Sequence, residues 1–97
     1  MIQPETYRYV FSPTVPLDAV VDTLLLARWG TEALHGETPA RLESASRVDR
    51  EMRACEIDAA SPVGRDLNRL FAGFAVREFG ADGFTVERAM SNTEVPA

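Results

Sequence analysis

Residues 61–80 read SPVGRDLNRLFAGFAVREFG, and their pattern fixes what the rest of the chain must supply. Ser61 is a favoured N-cap, because its hydroxyl accepts from the free amides of a first helical turn. Pro62 follows at the first helical position, where a missing N–H costs nothing. Val63, Leu67, Leu70, Phe71 and Phe74 then recur at steps of three and four, which makes one apolar stripe. Arg65, Asp66, Asn68, Arg69 and Arg77 fall mostly on the other side. Gly80 ends the helix, since a left-handed residue is cheap for glycine. A helix striped in this way must bury the stripe against another layer.

The flanking sequence has the period of a sheet. Tyr7–Ser12, YRYVFS, alternates aromatic and polar residues and reads as a strand closed by Pro13 and Pro16. Tyr7, Tyr9 and Phe11 share one face of it. Leu17–Leu34 reads as a second helix, with Asp18 near its start and Gly36 as its stop. Its apolar residues Val20, Val21, Leu24, Leu25, Ala27, Trp29 and Leu34 are spread widely enough to touch both a sheet and a helix. Ala40–Ala59 alternates again on either side of a polar break near Asp49, which predicts a hairpin. A register with Leu42 opposite Ile57 and Ser44 opposite Cys55 sets Arg41 against Asp58 but Glu43 against Glu56. Phe84–Ala89 gives a last strand after the Asp82-Gly83 turn.

Strand, helix, strand, strand, helix, strand is the βαββαβ order of a ferredoxin-like α+β sandwich. That predicts a two-layer fold: an antiparallel four-stranded sheet of order 4-1-3-2 with both helices on one face. The expected domain spans residues 1–90, with 91–97 as a flexible tail. The second strand would lie at an edge, where Arg41, Glu43 and Arg47 discourage stray pairing. Gly30 and Gly73 sit inside predicted helices, where glycine costs roughly 1 kcal/mol relative to alanine. At least one of them should therefore mark a close approach of elements, with Trp29 nearby.

Composition narrows the chemistry. The chain has 97 residues and a formal net charge of -5, which suits one modest core and argues against nucleic acid and anionic membranes as partners. All its basic residues are arginines. No apolar run nears the roughly 18 residues of a membrane span, and MIQPETYRY lacks the plan of a signal peptide, so a cytoplasmic location is expected. One cysteine and one histidine leave no metal cluster and no iron–sulfur centre, and no cofactor is expected. GxxxxGK[ST] and GxGxxG are both missing.

Three groups of residues merit attention as sites. Gly64, Arg65 and Arg69 open the 61–80 helix and could hold an anion at its amide-rich end. Arg28, Glu32 and His35 share a helical face and form a candidate polar pocket; His35 is the one side chain that ordinarily titrates near neutrality. If Tyr7, Tyr9 and Phe11 point to the helices, Arg8, Val10, Met52 and Ala54 fall on the opposite, open sheet face and form a candidate oligomer interface; with the strand turned over, the three aromatics would be exposed there instead. Cys55 reads as an inward core position. No catalytic constellation emerges. Acylphosphatases share the βαββαβ plan but hold an anion with an arginine in the loop after the first strand, and SPTVP has none. RNA-recognition domains carry a glycine-aromatic motif on the third strand, where MRACEID stands here. The expectation is a non-catalytic interaction and assembly module that self-associates through its open sheet face. The alternative is a small-molecule-binding or enzyme subunit of the dimeric α/β-barrel type.

Overall fold

The computed structural model describes residues 5–37 and 45–90. In chain order these form β1 (Glu5–Phe11), α1 (Leu17–His35), β2 (Ala45–Asp49), β3 (Ala54–Asp58), α2 (Pro62–Phe79), a single 3-10 turn (Ala81–Gly83) and β4 (Phe84–Met90). The strands make one four-stranded sheet of order β2-β3-β1-β4, antiparallel at every pairing. This is the ferredoxin-like α+β sandwich. The expected order is the same sheet read from the other edge. The expected tail at 91–97 and the residues Arg41, Leu42, Glu43 and Ser44 lie outside the described residues.

The cap residues act locally as their chemistry dictates. Ser61 Oγ accepts from Gly64 N at 2.9 Å, with Pro62 at the first position of α2. Gly80 closes α2 at φ 78 and its N–H donates to Val76 O. Gly36 closes α1 in the same way, at φ 90. Positive φ at both stops is why glycine stands there.

The core lies between the sheet and the two helices. Val63, Leu67, Phe71 and Ala75 line the buried side of α2 at four-residue steps. Val20, Leu24, Ala27 and Thr31 line that of α1 at steps of four and three. From the sheet, Tyr9, Phe11, Cys55 and Ile57 point inward. Phe71 is fully buried and meets Tyr9 edge-on, with ring centroids 4.9 Å apart, and Phe11 likewise at 6.3 Å. Such edge-to-face contacts add to the burial term. Tyr9 keeps its hydroxyl satisfied by donating to Asn68 Oδ1 at 2.5 Å. Thr23 and Thr31 are buried but donate to the carbonyls of Ala19 and Ala27 one turn back.

The two helix glycines differ. At Gly30 a Cβ would stand 3.0 Å from Leu70 Cδ1, so this glycine lets α1 approach α2. At Gly73 nothing beyond its chain neighbours and the helix's own backbone lies within 4 Å of such a Cβ. Gly73→Ala is therefore expected to stabilise the protein by about 0.5–1 kcal/mol through helix propensity alone. A rise in the urea midpoint at unchanged slope is the expected reading.

The hairpin departs from expectation by four residues. Ser46 faces Ile57, Arg47 faces Glu56 and Val48 faces Cys55. The shift brings an arginine rather than Glu43 opposite Glu56, which turns a repulsion into an ion pair. Asp49 belongs to β2, and the turn comprises residues 50–53. Asp49 Oδ1 accepts from Met52 N at 3.1 Å, and Arg53 takes φ 54, the one positive φ outside glycine among the described residues. Such a backbone is costly for a long side chain. Arg53 is held there from both ends. Its carbonyl accepts from Phe11 N at 2.9 Å. Its Nη2 donates to Ser12 O at 2.8 Å and to Val15 O. The guanidinium thus ties the β1–α1 loop to the hairpin.

Candidate functional site

The described elements put no layer on the sheet face turned from the helices. Strand alternation decides what it shows. Because Tyr9 and Phe11 point to the core, Thr6, Arg8 and Val10 point outward from β1. The register then carries the face across all four strands. Arg8 stands opposite Glu56 of β3 and Glu87 of β4, and Glu56 stands opposite Arg47 of β2. In sheet order the row reads Arg47, Glu56, Arg8, Glu87, with alternating charge from edge to edge.

Two links of this row are ion pairs. Arg8 Nη1 donates to Glu56 Oε2 at 2.6 Å, and Arg47 Nε donates to Glu56 Oε1 at 3.0 Å. Each carboxylate oxygen therefore has its own guanidinium. The hydrogen bond from Arg47 is the largest effect lowering the Glu56 pKa below the usual glutamate value; partial burial opposes it and Arg8 adds to it. A depressed carboxylate stabilises the fold at pH above its unfolded pKa, about 4.3, and that stabilisation fades as pH falls through the folded value. Glu56→Gln should therefore flatten the dependence of Tm on pH below about pH 4.3, relative to the parent protein. A parallel acid profile for the two proteins would contradict this.

The rows on either side are milder. One reads Asp49, Ala54, Val10, Thr85 across the sheet; in the other, Asp58 stands beside Thr6. Of the expected interface residues, Arg8 and Val10 lie on this face. Ala54 also belongs to it but is fully buried, so its methyl offers no contact surface. Met52 does not belong to it; it is exposed in the hairpin turn. Arg47 was legible as an edge charge, and only the true register places it beside Glu56.

The expected anion site is not assembled. The Gly64 amide is taken by Ser61 Oγ, and the side of Gly64 where a Cβ would project abuts the Asp58 carbonyl oxygen at 2.1 Å. That oxygen repels an anion. Glycine stands at position 64 because the end of β3 passes against α2. Arg65 and Arg69 are exposed along the helix.

The expected polar pocket is divided. His35 Nε2 lies 2.7 Å from Asp66 Oδ2 and so joins the end of α1 to the start of α2. Arg28 turns the other way, with Nη1 3.5 Å from Ser46 Oγ of β2. Glu32 lines an open groove with Arg28, Trp29 and Leu25. Three and seven residues of spacing gave a shared face, but α2 on one flank of α1 and β2 on the other draw the polar groups apart.

The structure also leaves apolar surface on α1 that sequence reasoning expected to be covered. Leu25 is 42% exposed, Trp29 56% and Leu34 66%. Val21, Leu25 and Trp29, each four residues apart, make a short stripe beside Arg28 and Glu32. A second open groove between the helices has Leu26 and Phe74 in its lining with Asp22, Arg77 and Glu78. Cys55 is fully buried, and that burial pushes its thiol up to about 12, with Glu56 adding to the shift. It is a core residue, not a nucleophile.

No protein-family model matches the chain, and no curated protein or solved structure matches it. Among the described residues no helix is long and apolar enough to cross a membrane. Among them, too, no group of three or more histidine, cysteine, aspartate or glutamate side chains is placed to hold a metal ion.

Proposed function

We propose that the protein is a small interaction and assembly module that acts by associating with itself through the open sheet face. The observation that carries this reading is the row Arg47, Glu56, Arg8, Glu87. A row of charges that alternates from edge to edge is complementary to its own reverse, and closed two-fold pairing is the commonest form of self-association. Glu56 already holds both neighbouring guanidinium groups in place. Side chains fixed before docking lose less entropy when they dock. The small-molecule alternative has less support, since His35 is drawn away from Arg28 and Glu32 and the helix grooves are open troughs.

An interface built on charge should be modest in affinity and weakened by salt. Light scattering at rising protein concentration is expected to show a monomer–dimer equilibrium that shifts toward monomer at high ionic strength. A strict monomer at millimolar concentration in low salt would overturn the reading.

The exposed stripe on α1 supports a second reading, in which association uses the helix flank. Uncovered apolar surface of this kind tends to mark contact sites. Leu25→Glu separates the two. It leaves the dimer intact if the sheet face is used and abolishes it if the flank is used.

A further inference from the structure

From the register of the open face we infer the symmetry of the assembly: two copies stack sheet to sheet about a two-fold axis parallel to the strands. This rests on self-association through that face and goes on to say which residue meets which. A two-fold along the strands preserves position along a strand and reverses position across the sheet. The row Arg47, Glu56, Arg8, Glu87 then meets its own reverse. Arg47 falls opposite the partner's Glu87, and Glu56 falls opposite the partner's Arg8. All four charges of each copy meet the opposite sign, because the row alternates and has an even number of members.

The neighbouring rows agree with this choice. Reversal sets Asp49 opposite the partner's Thr85, a carboxylate against a hydroxyl donor. It sets Val10 over the partner's Ala54, whose buried methyl brings no charge against it. In the third row Asp58 falls opposite the partner's Thr6. No like charges meet in any row. A two-fold perpendicular to the strands, lying along the charged row, does the opposite. It places Arg47 on Arg47, Glu56 on Glu56, Arg8 on Arg8 and Glu87 on Glu87. Like-charge juxtaposition at an interface costs several kcal/mol. The parallel axis also keeps the strands of both sheets in one mean direction, as aligned sheet packing does, within about 30°.

The two rim positions provide the test. Arg47→Glu and Glu87→Arg each put like charges together at both ends of the row. Each variant alone is expected to raise the dimer dissociation constant at least about tenfold at low salt. Mixed in equal amounts, they form a heterodimer with opposite charges at both ends, one contact in exchanged polarity and the other as in the parent, with a dissociation constant within about threefold of the parent. Sedimentation velocity on each variant and on the mixture reads this directly, and far-ultraviolet circular dichroism confirms that each variant is folded. Recovery in the mixture cannot come from misfolding of either partner. If the parent dimerises but the mixture stays as weak as the separate variants, the symmetry is wrong while self-association stands. If the parent is monomeric under all conditions, both fail together.

Discussion

Gly64→Ala is expected to cost about 3 kcal/mol or more, near the upper end for a single methyl group. The added Cβ would stand 2.1 Å from the Asp58 carbonyl oxygen and 3.2 Å from its carbon. Both are backbone atoms, so no rotamer change relieves the clash. Either the first turn of α2 or the end of β3 must move. Movement of α2 disturbs Val63 and Leu67, which are buried one helical turn apart. Movement of β3 disturbs Ile57, which the sheet holds opposite Tyr7. Urea denaturation followed by circular dichroism gives the number. A loss below about 1 kcal/mol, within the ordinary spread of mutants, would mean that the two elements are not so closely apposed.

Phe71→Ala carries the second large effect. Phe71 is fully buried and touches Tyr9 and Phe11 from α2, while Phe11 in turn meets Phe79 and Phe84. Removing a ring at such a hub loses its transfer free energy and leaves a cavity, together about 3–5 kcal/mol. Domains of this size commonly have total stabilities of only about 5–15 kcal/mol. The variant should therefore unfold at a markedly lower urea concentration. Tyr9 should lose its fixed setting too, which near-ultraviolet circular dichroism would register. A midpoint close to that of the parent would remove Phe71 from the centre of the core.

How much of this was legible depended on whether the deciding interaction was local. Ser61, Pro62 and Gly80 mark the ends of α2 through contacts within one turn, so residue type alone reveals them. That Tyr9 and Phe11 share a face follows from strand alternation, but which way that face turns is decided by Phe71 of α2, which meets both rings. The hairpin register was not legible in the same way. Alternation continues across 42–48 in the sequence and fits more than one pairing, and the turn holds its positive φ with Arg53, where glycine would have announced it. The choice falls to Arg47 and Glu56, which are nine residues apart and meet only in one register.

The placement of the candidate residues turned on the same distinction. Gly64 reads as a ligand-binding glycine until the Asp58 carbonyl is seen beside it. Arg28, Glu32 and His35 share a face of an isolated helix. Asp66, some thirty residues further on, and Ser46 on the opposite flank decide where His35 and Arg28 turn. Arg8 and Val10 stand on the open face because Tyr9 and Phe11, one residue along the strand, pack into the core. Burial of Ala54 depends on what its neighbours cover, which no period in the sequence expresses.

A dilution series of two-dimensional amide spectra would test the use of the open sheet face most directly, since each amide reports its own surroundings. As the protein is concentrated at low salt, the resonances of Arg8, Arg47, Glu56 and Glu87 should move together along a single binding curve. Those of Leu25 and Trp29 on α1 should stay fixed. Spectra that do not change with concentration, or shifts confined to the α1 flank, would contradict assembly through the sheet.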